Sequence, residues 1–288
     1  MIIVSKDIVK QLYPERAAEA KKYDFGLMVA IGGSEFYSGP PALSALAGFR
    51  AGLDMARIIA PRRAADIIAG FSPILAAYPL EGDHLNKSHI ATLRSLTETA
   101  KESAHGNAAV VIGGGLGRSR ETLDAVAEFL ADLDIPVVID ADAFYAIQKR
   151  LDILAGKPFL LTPNTYEFFL LTGKNVRELS HEERMELVKT EAGKLGVTIL
   201  LKLRQDIISD GNEVAVNETG SPYLTVGGTG DTLAGIAATL LARGNMPFVA
   251  AQGAAYLNGR AGEIAAEKFG ESLVAADLID ALPSAIRE

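Results

Sequence analysis

Short apolar runs alternate with longer amphipathic stretches along most of this chain, and that alternation restricts the fold more than any other feature. GLMVAIGG (26–33), MARIIA (55–60), ILAAYPL (74–80), AAVVIGGGLG (108–117), IPVVIDADAF (135–144), PFLLTPN (158–164) and VTILLK (197–202) read as strands. Residues 42–52, 62–70, 87–103, 118–133, 164–171 and 180–195 read as the helices between them. DIISDGNEVAVNE (206–218) reads as a hairpin turned at Asp210-Gly211, and the chain beyond Gly228 is largely helical. Its run GIAATLLARG is small or apolar on every side, which predicts a deeply buried helix. Strands alternating with helices require right-handed crossovers and a mainly parallel sheet covered on both faces, a three-layer α/β architecture. No Pro/Ser-rich linker, low-complexity segment or repeat divides the chain, so residues 1–288 are expected to form one domain.

In such sheets ligands bind at the carboxyl ends of the strands. The polar and glycine residues here gather at those ends: GGS (32–34), GGGLG (113–117), DAD (140–142), TPN (162–164) and Lys202 each follow an apolar run. The most informative segment is GGTGD (227–231), which opens the buried helix. A helix N-terminus exposes unpaired N–H groups and carries about half a positive charge. Glycines let those amides approach an oxyanion without interference from Cβ atoms. Asp231 therefore has two readings. It is either a first-turn acid worth about 0.3–1 kcal/mol to the helix, or a general base on a hydroxyl whose attack on a phosphoryl group the amides support. Capping alone needs one polar side chain and leaves the glycine cluster unexplained.

The other strand-end groups keep two readings each. GGGLG is either a packing turn or part of the site. Asp140 and Asp142 either hold a divalent cation, directly or through water, or cap the following helix. Lys202 either extends to solvent or meets a nucleotide phosphate.

Several functions are excluded or disfavoured. The chain has no cysteine, so disulfides and thiolate chemistry are absent. Lys+Arg 28 against Asp+Glu 36 gives a net charge of −8 with no basic run, which disfavours nucleic-acid partners. No apolar run approaches the roughly 20 residues of a membrane span, and the first 25 residues lack signal-peptide order; a cytoplasmic protein with no membrane partner is expected. There is no Walker A loop, GxSxG elbow or HExxH, and GGGLGR fits a dinucleotide fingerprint poorly. His84, His89, His105 and His181 are scattered and read as surface or loop histidines.

The stretches VAIGGSEFYSGPPALSALAGFRAG, VVIGGGLG, VVIDADAF, LLTPNTYEF, LLK, GGTGDTLAGIAATLLARG and GAAYLNGRAGEIAA together resemble the ADP-dependent NAD(P)H-hydrate dehydratases of the ribokinase-like fold. The resemblance begins near residue 26 and runs nearly to the end. It implies ADP-dependent dehydration of (6S)-NADHX and (6S)-NADPHX to NADH and NADPH, with AMP and phosphate released and Mg²⁺ as the cofactor. It implies Asp231 as the base and Gly228, Thr229 and Gly230 as the anion hole. The hydrate would lie near Pro40, Gly117, Asn164 and Asp231, and the nucleotide near Lys202, Leu203, Arg204, Gln205, Asp206 and Gly230. A homo-oligomer, a tetramer, is also implied. The chain departs from the family pattern at Pro40, Asn164 and Leu203, where Ala, His and Gly are usual, and in GGGLG, usually GPGLG. Many relatives carry an epimerase domain in front, for which 288 residues leave no room. The competing reading is an ATP-dependent small-molecule kinase of the same fold, acting on a vitamin precursor or sugar alcohol. A third is a nucleotide-binding protein without catalysis.

Overall fold

A computed structural model describes the chain from Met1 to Glu288. Ten strands form one sheet: β1 (Ile2–Ile3), β2 (Leu27–Ile31), β3 (Met55–Pro61), β4 (Ala76–Leu80), β5 (Ala108–Ile112), β6 (Val137–Ile139), β7 (Phe159–Leu161), β8 (Thr198–Leu201), β9 (Asp206–Ser209) and β10 (Val214–Asn217). Their order is β1-β10-β9-β8-β7-β6-β5-β2-β3-β4. All neighbours are parallel except at β9, which runs antiparallel to both β8 and β10. The predicted hairpin at 206–218 is that β9–β10 pair.

Eleven α-helices cover the sheet: α1 (Asp7–Leu12), α2 (Gly39–Arg50), α3 (Arg62–Phe71), α4 (Ile90–Ser103), α5 (Arg120–Ala131), α6 (Ala143–Ile147), α7 (Thr165–Thr172), α8 (His181–Leu195), α9 (Thr229–Ala242), α10 (Pro247–Phe269) and α11 (Ala275–Arg287). The two-residue period of a strand sorts the core into two layers. Met28 and Ala30 of β2 face α2, α9, α10 and α11, whereas Leu27, Val29 and Ile31 face the layer of α4–α8. Both layers are continuous. That is why the strands read as apolar runs rather than as alternating ones. None of the helices is long and apolar enough to cross a membrane.

The predicted burial of the GIAATLLARG helix holds: every residue of α9 from Thr232 to Ala242 is buried. Gly235 shows why its residues are small. A Cβ there would lie 2.1 Å from the backbone oxygen of Ser44, so α9 and α2 touch almost backbone to backbone. The Ser44 hydroxyl donates to the Asp231 carbonyl at 2.9 Å across the same seam. The start of α2 and the start of α9 are thus fixed to each other, and Pro40 is held near Asp231.

Three expectations are corrected. β5, β6 and β7 stop at Ile112, Ile139 and Leu161, short of the glycine and polar residues assigned to their ends, because those residues turn out of the sheet. The N-terminus, for which the sequence suggested no element, supplies α1 and pairs β1 in parallel with β10. His89 is not on the surface. It is 6% exposed, and its Nδ1 accepts the Asn86 N–H at 3.2 Å, closing a capping box in the turn that leads into α4.

Candidate active site

Asp231 stands in the first turn of α9. Gly228 precedes the helix with φ 98°, a left-handed conformation that a side chain would strain. Thr229 pins the turn: its hydroxyl donates to the carbonyls of Leu224 and Val226 at 2.8 and 3.0 Å. The Asp231 carboxylate reaches the glycine turn after β5. A Cβ on Gly114 would lie 2.8 Å from Asp231 Oδ1 and 2.7 Å from Pro40 Cβ. Pro40, Gly114 and Asp231 therefore meet at one point. Gly114 was legible only as part of a glycine run; the same run packs against backbone at Gly113, where a Cβ would lie 1.7 Å from the Asp140 carbonyl oxygen, and faces the Asp231 carboxylate at Gly114.

Burial pushes the Asp231 carboxyl up to about 7; the nearby Asp140 charge pushes the same way and Lys202 opposes. A general base works best when its value lies near the working pH. No capping role requires that shift, which costs the folded state.

Three adjacent strands build the electrostatics behind it. Asp140 follows β6, Thr162 follows β7 and Lys202 follows β8. Lys202 Nζ donates to Asp140 Oδ1 at 2.8 Å, as does the Thr162 hydroxyl at 2.8 Å. Glu167 Oε2 lies 3.8 Å from the same ammonium. Burial pulls the Lys202 ammonium down, but Asp140 and Glu167 outweigh it and the group is held above its ordinary value. Lys202 is charged and does not extend freely to solvent. A Cβ on Gly230 would lie 3.7 Å from its Nζ, so the ammonium flanks the first turn of α9.

Lys202, Leu203, Arg204, Asp206, Asn164, Thr229 and Gly230 line one cleft of about 700 Å³. Its far wall is the 219–226 segment, closed by Asn258 and Gly259 of α10. Of the residues expected around a nucleotide, only Gln205 turns away; its amide donates to Glu218 at 2.9 Å. Asp206 is a loop organiser: it accepts from the Leu203 N–H at 3.0 Å and the Asn217 amide at 3.1 Å, while burial raises its carboxyl to about 6. Asn164 caps α7. Its Oδ1 accepts from the Tyr166 and Glu167 amides, both at 2.9 Å, and Glu167 answers on the Asn164 N–H. Glu167, absent from the expected site, was signalled by that three-residue spacing.

The Asp140 and Asp142 carboxylates, expected together at a divalent cation, face different partners. Ala141 between them has φ 50°, and this turn sends the carboxylates to different partners. Asp140 points at Lys202, whereas Asp142 accepts from the Gly117 N–H at 3.0 Å and from Arg118 at 2.7 Å. No group of three or more His, Cys, Asp or Glu side chains is arranged to hold a metal ion.

Comparison with known proteins agrees with this geometry. The profile of the NAD(P)H-hydrate dehydratase family matches residues 28–284. The chain belongs to that family. Its fold is ribokinase-like. A bifunctional NAD(P)H-hydrate repair enzyme of Pyrobaculum aerophilum is 44% identical over 274 residues, covering 94% of this chain and 52% of the relative. The chain thus spans about half the length of that relative. An ADP-dependent (S)-NAD(P)H-hydrate dehydratase of Cenarchaeum symbiosum is 36% identical over 286 residues, covering 99% of this chain and 96% of its own. Among solved structures, the ADP/ATP-dependent NAD(P)H-hydrate dehydratase of Bacillus subtilis, co-crystallised with ATP/Mg²⁺, superposes with a TM-score of 0.78 at 27% identity, covering 99% and 98% of the two chains.

Proposed function

We propose that this member of the NAD(P)H-hydrate dehydratase family restores hydrated NADH and NADPH at the expense of ADP, with Asp231 as the general base. The observation that carries the reading is the Asp231 carboxylate, held near neutrality at a glycine-flanked helix start and bordered by a cleft of nucleotide size. ADP takes the cleft, with its terminal phosphate toward Gly228, Thr229 and Gly230 and the Lys202 ammonium. The hydrate enters from the side of Pro40, Gly114 and Gly117.

Asp231 accepts the proton of the ring hydroxyl. That oxygen bonds to the terminal phosphorus of ADP as the bond to the α-phosphate breaks, and AMP leaves. Loss of phosphate from the ring carbon, and of a proton from its neighbour, then restores the double bond. Lys202 keeps its charge in this scheme, because Asp140 and Glu167 hold its proton, so it serves as a fixed electrostatic partner for the phosphates. Mg²⁺, when bound, neutralises phosphate charge. Mg²⁺ sites commonly take one or two carboxylates plus substrate phosphates and water; no all-protein cage is present, and Asp140 and Glu167 face the Lys202 ammonium instead.

The test is incubation with NADHX, ADP and Mg²⁺ while the absorbance of reduced nicotinamide is followed. Recovery of NADH with stoichiometric AMP and phosphate is expected. ATP-dependent phosphorylation of a vitamin alcohol without NADH recovery would replace the dehydratase reading with the kinase one, and nucleotide binding without turnover would remove both.

A further inference from the structure

We infer that Arg118, supported by Tyr145, receives the pyrophosphate of the dinucleotide substrate, and that the groove beyond it takes the adenosine half. The inference rests on the dehydratase reading and extends it to the half of the substrate far from the reacting carbon. Only the nicotinamide end of a hydrated dinucleotide can reach Asp231. The remainder, with at least two negative charges, must leave on the side away from the cleft that ADP occupies.

On that side the chain runs from Gly114, against the Asp231 carboxylate, to Arg118 in four residues, a span of at most about 14 Å. Gly117 lies between them with φ 78°, and no atom lies within 4 Å of where its Cβ would be. Arg118 comes next. Its Nε donates to Asp142 Oδ1 at 2.7 Å, and its guanidinium stacks 3.9 Å from the Tyr145 ring centroid. These contacts set the plane of the guanidinium, yet neither terminal amino group has a hydrogen-bond partner in the protein. An oriented guanidinium with its outer N–H groups free suits paired phosphate oxygens.

Along the groove Lys87 pairs with Glu128, Arg94 with Asp132 and Arg150 with Asp152, whereas Lys149 has no ion-pair partner and stands as a second cation at the far end. From Arg118 and Tyr145 a groove of about 1050 Å³ extends to Lys149, large enough for a nucleoside. The alternative is that Arg118 merely staples Asp142 to Tyr145. In that case its loss would lower stability and leave substrate recognition intact.

Arg118→Met and Arg118→Lys separate the two when assayed with NADHX and with the hydrate of reduced nicotinamide riboside, which has no phosphate. The Met variant is expected to raise KM for NADHX about tenfold or more, with KM for ADP unchanged. Its kcat/KM for the riboside hydrate should equal that of the wild type, and Lys should recover part of the NADHX loss. An unchanged KM for NADHX, or equal losses on both substrates, would overturn the assignment. If the wild type turns over no NADHX, the dehydratase reading itself fails. Calorimetric titration with NAD⁺ then decides the Arg118 site on its own: weaker binding to the Met variant supports it, and equal binding removes it.

Discussion

Replacing Asp140 by Asn should move the acidic limb of the pH–rate profile downward. Burial is the larger cause of the raised Asp231 carboxyl, at about 7, but the Asp140 charge adds to it and its removal lowers that value. The opposing Lys202 ammonium keeps its place, with Glu167 at 3.8 Å. One charge change of this kind moves the limb to about pH 6. At pH 6 the ionised fraction of the base would then rise about fivefold. The plateau at high pH should fall, because a less basic carboxylate accepts the hydroxyl proton less readily. The fold should survive, since an Asn oxygen can still accept from both Thr162 and Lys202. The assay is kcat/KM for NADHX from pH 5 to 9 at saturating ADP, with Asp142→Asn as control; Asp142 faces Arg118, so that variant should leave the limb in place. A limb that stays at about 7 in Asp140→Asn, or that rises, would refute the electrostatic account of the base.

Three further outcomes are expected. Asp231→Asn should cut turnover by about 10²-fold or more with ADP affinity retained. Its folded value lies above the unfolded one, so the native state binds the extra proton and stability falls as pH rises from about 4 to about 7; the Asn variant should therefore melt a few degrees higher than wild type at pH 8 and come level with it only below about pH 4, by scanning calorimetry. Gly114→Ala places a methyl against Asp231 Oδ1 and Pro40, and should lower kcat by about 10²-fold without changing KM for ADP, as measured by steady-state kinetics. Asn164→Ala removes the α7 cap and should cost about 1 kcal/mol in urea unfolding, whereas Asn164→His, whose ring nitrogen can accept from the same amides, should lose less and remain folded and active.

The layered sheet was legible because strand and helix differ in length and period, and each run is local. The site was legible as a set of strand ends, which placed Lys202 and Asn164 on one edge, and as the glycine-flanked helix start that carries Asp231. The pairing within that set was not. Asp140 and Lys202 are 62 positions apart, and they meet because β6 and β8 flank β7, an order that no local pattern encodes. The choice between Asp140 and Asp142 depended on one left-handed residue, Ala141, a type that usually avoids that conformation. The 219–226 wall carries no periodicity, and it becomes a wall only by packing against α10. β1 is two residues long and owes its existence to β10, more than two hundred positions away.

The seam between Gly235 and Ser44 determines which parts of the site can move. With no side chain between them, α2 and α9 pack almost backbone to backbone, and the hydrogen bond from Ser44 to the Asp231 carbonyl ties their starts together. A shift of Pro40 relative to the base would have to break that seam. Any opening that admits a nucleotide or releases AMP falls to the loops on either side, the 219–226 wall and the 34–38 turn that carries the exposed Phe36 and Tyr37. The reacting centre is in this sense an anvil, and only what closes over it is free to swing.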